Sequence, residues 1–191
     1  MACKSCSKKQ QNSIRILQNS GGLQSPPFQS DDIFVLENGE TRKFESSDWS
    51  IYTHKLLLLF PSSYTPVCGS EMGALNDWID SFKEQNVDVI PVCTDPIAMI
   101  KDWYSEEEQL SNPKYKVFSS YLLPARLNLL EQGRAKRSSV FISKDGEIVK
   151  QEYPFKVGRN LAELHRMIYA YNTDSYCGEG WISPESGFLE K

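Results

Sequence analysis

The feature that most constrains the fold is an uninterrupted apolar run of five residues, 56–60, that ends at Pro61. This run is far shorter than the ~20 apolar residues that a membrane-spanning helix needs. It also lacks the polar alternation of a strand with one face in water. The run therefore predicts a central β-strand that is covered on both faces, as in a sheet with helices packed against it.

The segments around this strand alternate between strand and helix patterns. Apolar residues at positions 72, 75, 79 and 82 recur at intervals of three and four, which predicts a helix directly after the strand. An Asn-Gly turn predicts a β-hairpin over residues 33–44. Further strands are predicted over 87–92, 115–118, 139–143 and 147–152, and further helices over 97–104, 125–130 and 161–168, the first of them capped by Thr94 or Asp95. This order predicts an α/β fold, with a central mixed β-sheet flanked by helices and an N-terminal β-hairpin.

Composition divides the chain into three segments. Residues 1–30 are rich in Ser, Gln, Asn and Lys and are predicted to be a flexible N-terminal segment. Residues 31–172 carry the strand and helix patterns and are predicted to form the folded domain. Residues 173–191 are expected to form a C-terminal arm.

Charge and motif content exclude several classes of function. The 191 residues include 21 Lys plus Arg and 25 Asp plus Glu, a formal net charge of −4. A mildly acidic chain without a basic block is a poor candidate for binding nucleic acid. No stretch has the length of a signal peptide or membrane span, so we expect a cytoplasmic protein with no membrane partner. No phosphate loop or dinucleotide fingerprint is present, and we expect no cofactor.

The chain has five cysteines, so a purely structural set of disulfides would leave one over. Cys93 lies in an apolar strand pattern and is predicted to be a core residue. Cys3 and Cys6 have a C-x-x-C spacing but neither follow a strand nor open a helix. We expect this pair to have no defined role, with an auxiliary redox or metal function as the alternative. The two histidines, His54 and His165, carry no metal-binding motif, and we expect no metal site.

Cys68 is the candidate reactive residue. Thr65 suits the N-cap and Pro66 the first turn of the predicted helix, so Cys68 falls within that turn. The unpaired amides and the helix dipole at this position favour a thiolate. The alternative is a small buried residue at a strand–helix junction, because free cysteines often lie in cores.

The pattern around Cys68 resembles the active-site motif of the peroxiredoxins. Pro61, Thr65 and Cys68 form P-x-x-x-T-x-x-C after an apolar strand. Arg137 opens a segment similar to the family's R-x-x-x-F stretch, with an Asp-Gly pair further on. Trp103 stands where the family often has a Trp near the active site. The order and number of these similarities make chance agreement improbable.

The resemblance extends over residues 31–181 and implies the thioredoxin-like form of the α/β fold. The segment Y-C-G-E-G-W around Cys177 looks like the resolving-cysteine segment of the typical 2-Cys members, the alkyl hydroperoxide reductase C and thiol-specific antioxidant type. If so, the C-terminal arm carries a second redox cysteine. The alternative for Cys177 is an unpaired cysteine in a flexible tail.

The resemblance implies a thiol-dependent peroxidase. The Cys68 thiolate would attack hydrogen peroxide or an alkyl hydroperoxide and become a sulfenic acid. Cys177 of the partner subunit would then form a disulfide with it, and a thioredoxin-like protein would reduce that disulfide. The implied assembly is a homodimer, which relatives often extend to a ring of five dimers.

Supporting roles follow from the same resemblance and from residue chemistry. Arg137 would hold the thiolate and bind the peroxide oxygens, with Arg126 as its rival. The Thr65 hydroxyl would orient thiolate and substrate, and Pro61, which has no amide donor, would shield the thiolate from water. Three further residues are expected around this group without touching the peroxide: Glu71, Arg166 and Trp103.

The sequence departs from the family pattern in ways that carry expectations of their own. Gly69-Ser70 replaces the Pro-Thr pair common after the reactive cysteine, and Pro66 replaces an aromatic residue. A glycine weakens a helical turn by about 1 kcal/mol relative to alanine, so we expect the turn to unwind easily and the disulfide to form fast. The Gly-Gly-Leu-Gly and Tyr-Phe elements that accompany overoxidation are missing from their places, which predicts a robust enzyme.

Two other functions stay open at this point. One is a one-cysteine peroxidase in which an external thiol replaces Cys177. The other is a holdase-type chaperone on the same fold, which would not need turnover of Cys68.

Overall fold

The computed structural model describes residues 32–173. The N-terminal segment with Cys3 and Cys6, and the arm with Cys177, lie outside the described residues. The strands are β1 (Phe34–Glu37), β2 (Glu40–Lys43), β3 (His54–Leu59), β4 (Val87–Cys93), β5 (Val117–Ser119), β6 (Leu130–Glu131), β7 (Arg134–Ala135), β8 (Ser138–Ile142) and β9 (Ile148–Glu152). The helices are α1 (Pro66–Glu84), α2 (Ile97–Glu106), α3 (Leu122–Arg126) and α4 (Leu161–Asn172), with 3-10 turns at Ser46–Asp48 and Glu108–Leu110.

Seven strands form one mixed sheet in the order β2-β1-β5-β4-β3-β8-β9. The predicted central strand, β3, is fully buried and has β4 parallel on one side and β8 antiparallel on the other. Its side chains alternate between two cores, with Leu56 and Leu58 facing one and Leu57 and Leu59 the other. Helices α1, α2 and α4 contribute to the first core. The architecture confirms the predicted α/β fold, and no helix within residues 32–173 is both long and apolar enough to cross a membrane.

The predicted N-terminal hairpin is confirmed as β1 and β2. Its turn residues Asn38 and Gly39 have φ angles of +51° and +78°. Two successive positive φ values are what a tight two-residue hairpin needs, and Asn-Gly supplies them at low cost. The second predicted hairpin is β8 and β9, joined through Gly146 at φ +89°.

Two local predictions are wrong. The helix expected over 125–130 is α3, which begins three residues earlier and ends at Arg126. Asn128 follows with φ +57° and turns the chain into the small β6–β7 hairpin. The cap of α2 is Pro96 rather than Thr94 or Asp95. The carboxylate of Asp95 is engaged elsewhere, because it accepts a hydrogen bond of 2.6 Å from the amide of Ser63.

One edge of the sheet gathers the segments that carry the predicted site. The parallel strands β3, β4 and β5 all end there, which is where open α/β sheets place their sites. Strand β8 begins at the same edge, because Ser138 pairs with Leu59 in the antiparallel register. Arg137, directly before β8, is thereby brought next to the loop that leads from β3 to α1.

Candidate active site

Cys68 lies in the first turn of α1 and is fully buried, with 0% of its surface exposed. Thr65 occupies the N-cap position with an extended backbone, and Pro66 is the first helical residue, as predicted. The Thr65 hydroxyl makes no capping bond and instead donates to the Ser62 carbonyl at 3.2 Å. The first turn is closed by the amide of Gly69, which donates to the Thr65 carbonyl at 2.9 Å.

The thiol of Cys68 contacts a guanidinium group. Arg137 Nη2 lies 3.3 Å from Cys68 Sγ, and Arg137 itself is only 3% exposed. The same guanidinium donates from Nε and Nη2 to the carbonyl of Phe155 at 3.4 and 3.3 Å, which fixes its orientation. An arginine charge in contact with sulfur favours the thiolate over the thiol.

Glu71 connects this pair to a second arginine. One helical turn after Cys68, its Oε2 accepts from Arg137 Nη1 in a very short contact. Its Oε1 accepts from the Arg159 amide at 2.7 Å and lies 3.2 Å from Arg159 Nε. Arg159 Nη2 in turn donates to the Leu59 carbonyl at the end of β3, at 2.6 Å. The carboxylate is therefore held between two guanidinium groups, one of which touches the sulfur.

The charges of this group balance only in one state of Cys68. The side chains of Arg137, Glu71 and Arg159 are 1%, 4% and 0% exposed. Burial lowers the pKa of Arg159, an effect that Glu71 opposes and Arg137 reinforces. With both arginines charged and Glu71 ionised, a Cys68 thiol leaves a buried net charge of +1, and a thiolate leaves zero. An uncompensated buried charge is costly, and a negative charge on the Cys68 sulfur is what would compensate this one.

The loop between β3 and α1 packs against α2 and borders a cleft. Pro61 is buried, and together with Arg137 and Phe155 it lines a cleft of about 650 Å³ at the mouth of the site. Trp103 of α2 is 1% exposed, and its ring lies 5.9 Å from that of Phe60 and 6.2 Å from that of Tyr64. The structure thus brings Pro61 and Trp103 to the same region as Cys68.

Two arginines considered from sequence lie elsewhere. Arg166 pairs with Glu163 on its own helix through two contacts of 2.6 Å. Arg126 is exposed at the end of α3, whereas Arg137 reaches the sulfur. The second arginine that contacts Glu71, beside Arg137, is Arg159. The sequence signal for Arg159 is the Val157-Gly158-Arg159 stretch just before α4.

The second described cysteine, Cys93, lies in the core as predicted. Its Sγ accepts a weak hydrogen bond of 3.4 Å from the Asp95 amide, and burial raises the pKa of its thiol. Both Cys68 and Cys93 are free thiols. Within residues 32–173 no group of three or more His, Cys, Asp or Glu side chains is placed to hold a metal ion.

The fold and this geometry define a class. A buried cysteine that begins a helix after the central strand of a thioredoxin-like sheet, in contact with an arginine, is the arrangement of a thiol-based redox enzyme. The model of the AhpC/TSA family matches residues 27–151, well over half of the chain. The chain therefore belongs to the AhpC/TSA family, the peroxiredoxins, and is an oxidoreductase of the peroxidase type.

Individual relatives agree with this assignment. Alkyl hydroperoxide reductase C of Escherichia coli is 27% identical over 145 residues, which cover 71% of this chain and 75% of that protein. The chloroplastic 2-Cys peroxiredoxin BAS1 of Spinacia oleracea is 26% identical over 172 residues, 84% of this chain and 64% of that one. The reduced 2-Cys peroxiredoxin of Plasmodium vivax superposes with a TM-score of 0.71 at 20% identity, over 82% of this chain and 86% of that chain. This last likeness supports the thioredoxin-like fold.

Proposed function

We propose that this protein reduces hydrogen peroxide and alkyl hydroperoxides through a sulfenic acid on Cys68. The observation that carries the proposal is the buried group of Arg137, Glu71 and Arg159, whose charges are balanced only by a Cys68 thiolate. The thiolate, and not the thiol, is the nucleophile that attacks a peroxide.

The first step transfers one oxygen to sulfur. The Cys68 thiolate attacks the terminal peroxide oxygen, an S–O bond forms and the O–O bond breaks. The sulfur is oxidised to the sulfenic acid, and the departing hydroxide or alkoxide takes up a proton and leaves as water or alcohol. Negative charge moves from sulfur to the departing oxygen, so the guanidinium of Arg137 stabilises both ends of the reaction.

The residues around Cys68 and Arg137 would bind the peroxide, shield the sulfur or hold Arg137 in place. Thr65 lies one turn ahead of Cys68, and its hydroxyl can accept from the peroxide while it donates elsewhere. Pro61 closes the mouth of the site without presenting an amide to the sulfur. Glu71 and Arg159 hold Arg137 in place, and Trp103 supports the loop from below.

The second half of the cycle uses Cys177 of the partner subunit. Its thiol attacks the Cys68 sulfenic acid and releases water, which leaves a disulfide between two subunits. A thioredoxin-like dithiol then reduces this disulfide by exchange and is itself oxidised. Two observations support this assignment: the Y-C-G-E-G-W segment around Cys177 and the similarity to proteins named 2-Cys peroxiredoxins.

A homodimer is the assembly that this cycle needs. Strand β9 ends the sheet, and within the described residues its outer edge has no strand partner. An exposed edge strand is a template for pairing with another chain. Assembly of such dimers into a ring of five belongs to the same proposal. The cytoplasm is the proposed location, because a reducing compartment keeps thiols such as Cys68 and Cys93 free.

The test is non-reducing electrophoresis with peptide mass mapping after one equivalent of hydrogen peroxide. Wild type and Cys177→Ser are compared under the same conditions. The proposal predicts a covalent dimer joined through Cys68 and Cys177 in the wild type and none in the variant.

Other outcomes would favour the alternatives. A monomer with sulfenic acid on Cys68 in both proteins would indicate a one-cysteine peroxidase served by an external thiol. A protein with no modification on Cys68 but with protection of an unfolding client would indicate a chaperone. Either result would refute the two-cysteine cycle.

A further inference from the structure

Tyr64, in the loop between β3 and α1, has an unusual backbone conformation. Its φ angle is +54°, in the left-handed region. The other non-glycine residues with positive φ within 32–173 are four Asn and one Gln. Asn tolerates this region well, whereas a bulky aromatic residue is strained there by about 1–3 kcal/mol. Such a conformation persists only where the surroundings hold it.

Hydrogen bonds near both ends of α2 hold this turn, including one of 3.3 Å from Ser62 Oγ to Asp95 Oδ2. The amide of Ser63 donates to Asp95 Oδ2 at 2.6 Å, just before α2 begins. The hydroxyl of Tyr64 donates to Glu106 Oε2 at 3.1 Å, at the last residue of α2. Ser63 is 3% exposed and Tyr64 is 43% exposed. The inner bond is therefore sealed in the protein, and the outer bond lies at the surface where it can open first.

The same support extends to the first turn of α1. Tyr64 directly precedes the N-cap, and its ring packs on Trp103. Trp103 also lies beneath Gly69, since a Cβ on that glycine would come within 3.8 Å of Trp103 Cζ2. The strained turn and the turn that contains Cys68 therefore share Trp103 as a neighbour, and Gln109 also lies against Gly69. Movement of Tyr64 away from Trp103 should loosen the first turn of α1.

Cys68 has to leave this position to meet another thiol. Its sulfur has no exposed surface, and a disulfide requires the two Cβ atoms to approach within about 4.5 Å. Opening of the loop and of the first helical turn is therefore a step between peroxide reduction, which uses the buried arrangement, and disulfide formation.

We propose that Tyr64 is a positioning residue, and that its hydrogen bond to Glu106 is a latch that keeps the strained loop closed and Cys68 buried. Closure holds the sulfur against Arg137 for the reaction with peroxide. Release of the latch lets the strain at Tyr64 open the loop and present the sulfur to a second thiol. The consequence for turnover rests on the proposed function, but the latch itself is a property of the reduced protein.

The test therefore starts without peroxide. Reduced wild type, Tyr64→Phe and Glu106→Ala are treated with iodoacetamide, and the labelling rates of Cys68 and Cys93 are followed by peptide mass spectrometry. Tyr64→Phe removes only the hydroxyl and keeps the ring on Trp103. An exposed hydrogen bond contributes little to the free energy of the closed loop. We therefore expect Cys68 to be labelled about two- to fivefold faster in both variants than in the wild type.

The chain supplies controls for each part of this test. Cys93 is a buried thiol on β4, and its Sγ accepts from the Asp95 amide, so it belongs to the sheet and not to the loop. Global unfolding would expose both cysteines, whereas opening of the loop would expose Cys68 alone. Tyr52→Phe removes a hydroxyl from a side chain that is 79% exposed and should match the wild type. Glu106→Gln retains an acceptor and should restore most of the protection. The double variant Tyr64→Phe with Glu106→Ala should be no faster than either single variant.

Two results would overturn the latch. Equal labelling of Cys68 in wild type and Tyr64→Phe would show that the hydrogen bond does not hold the loop. Parallel acceleration of Cys68 and Cys93 would show a global loss of stability instead. The proposed function is tested separately, and it fails if the wild type does not consume peroxide.

Discussion

Replacement of Arg137 by Met is the perturbation that bears most directly on the electrostatics of the site. Met keeps much of the apolar volume and removes the guanidinium. At 3.3 Å between Nη2 and Sγ, a pair of unit charges attracts by about 5 kcal/mol at an effective dielectric constant of ~20. Part of this attraction offsets desolvation of the two groups. We expect a net loss of about 3–4 kcal/mol, or ~10²–10³ in the rate of Cys68 with peroxide.

The charge count gives a second, independent expectation for the same variant. Without Arg137, the remaining charges of Arg159 and Glu71 cancel, so the thiol becomes the neutral state of Cys68. The ultraviolet absorbance of a Cys68 thiolate should therefore be weaker in Arg137→Met than in the wild type under the same conditions. Single-turnover stopped-flow measurement of peroxide reduction gives the rate.

The matched control is Arg126→Met, which removes an exposed arginine at the end of α3 and should leave both readings unchanged. Arg137→Lys keeps a charge but not the planar fork, so its rate should fall between those of wild type and Arg137→Met. A folded Arg137→Met protein with the thiolate absorbance and rate of the wild type would refute the electrostatic reasoning.

Three further predictions concern the surroundings of the site. Arg159→Met should lower the thiolate fraction of Cys68 but change the free energy of unfolding in urea by less than about 2 kcal/mol. The variant loses hydrogen bonds, but it also removes a buried guanidinium whose Nη1 has no partner among the described residues. A loss of stability several times larger would contradict this. Burial lowers the pKa of both His54 and His165. The histidines of the unfolded chain therefore bind protons first as the pH falls below about 6.5. The free energy of unfolding, measured by denaturant titration, should therefore drop between about pH 7 and pH 5. A free energy that stays constant over this range would exclude the linkage. Cys93→Ala should cost about 1–2 kcal/mol of stability through the small cavity and leave the steady-state peroxide assay unchanged, whereas loss of activity would give Cys93 a role in the chemistry.

The parts of the site that are local in sequence could be predicted from it. Pro61, Thr65 and Cys68 follow one strand and open one helix, so the strand–turn–helix pattern fixes their relation without knowledge of the rest of the fold. The same holds for the Asn-Gly hairpin and for the apolar periodicity of α1. Arg137 required the family motif, because its approach to Cys68 depends on the register of β8 against β3.

The remainder of the site depends on packing that no periodic pattern records. Arg159 and Glu71 are 88 positions apart and meet because the entry to α4 passes over the start of α1. The sequence drew attention to Arg166 on the helix itself, whereas the arginine that contacts Glu71 is Arg159, just before the helix. In the same way, Leu127 and Leu129 suggested a helix because they are apolar, although they are buried in irregular chain after α3.

The central claim is that peroxide oxidises Cys68, and the most direct measurement is the site of the first oxidation. The Cys177→Ser variant, in which the sulfenic acid cannot pass to Cys177, is treated with one equivalent of hydrogen peroxide and a sulfenic-acid trap, and the adduct is mapped by peptide mass spectrometry. We predict a near-stoichiometric adduct on Cys68 and none on Cys93, whose thiol stays protonated in the core. An unmodified Cys68, or an adduct that forms first on Cys93, would contradict the account.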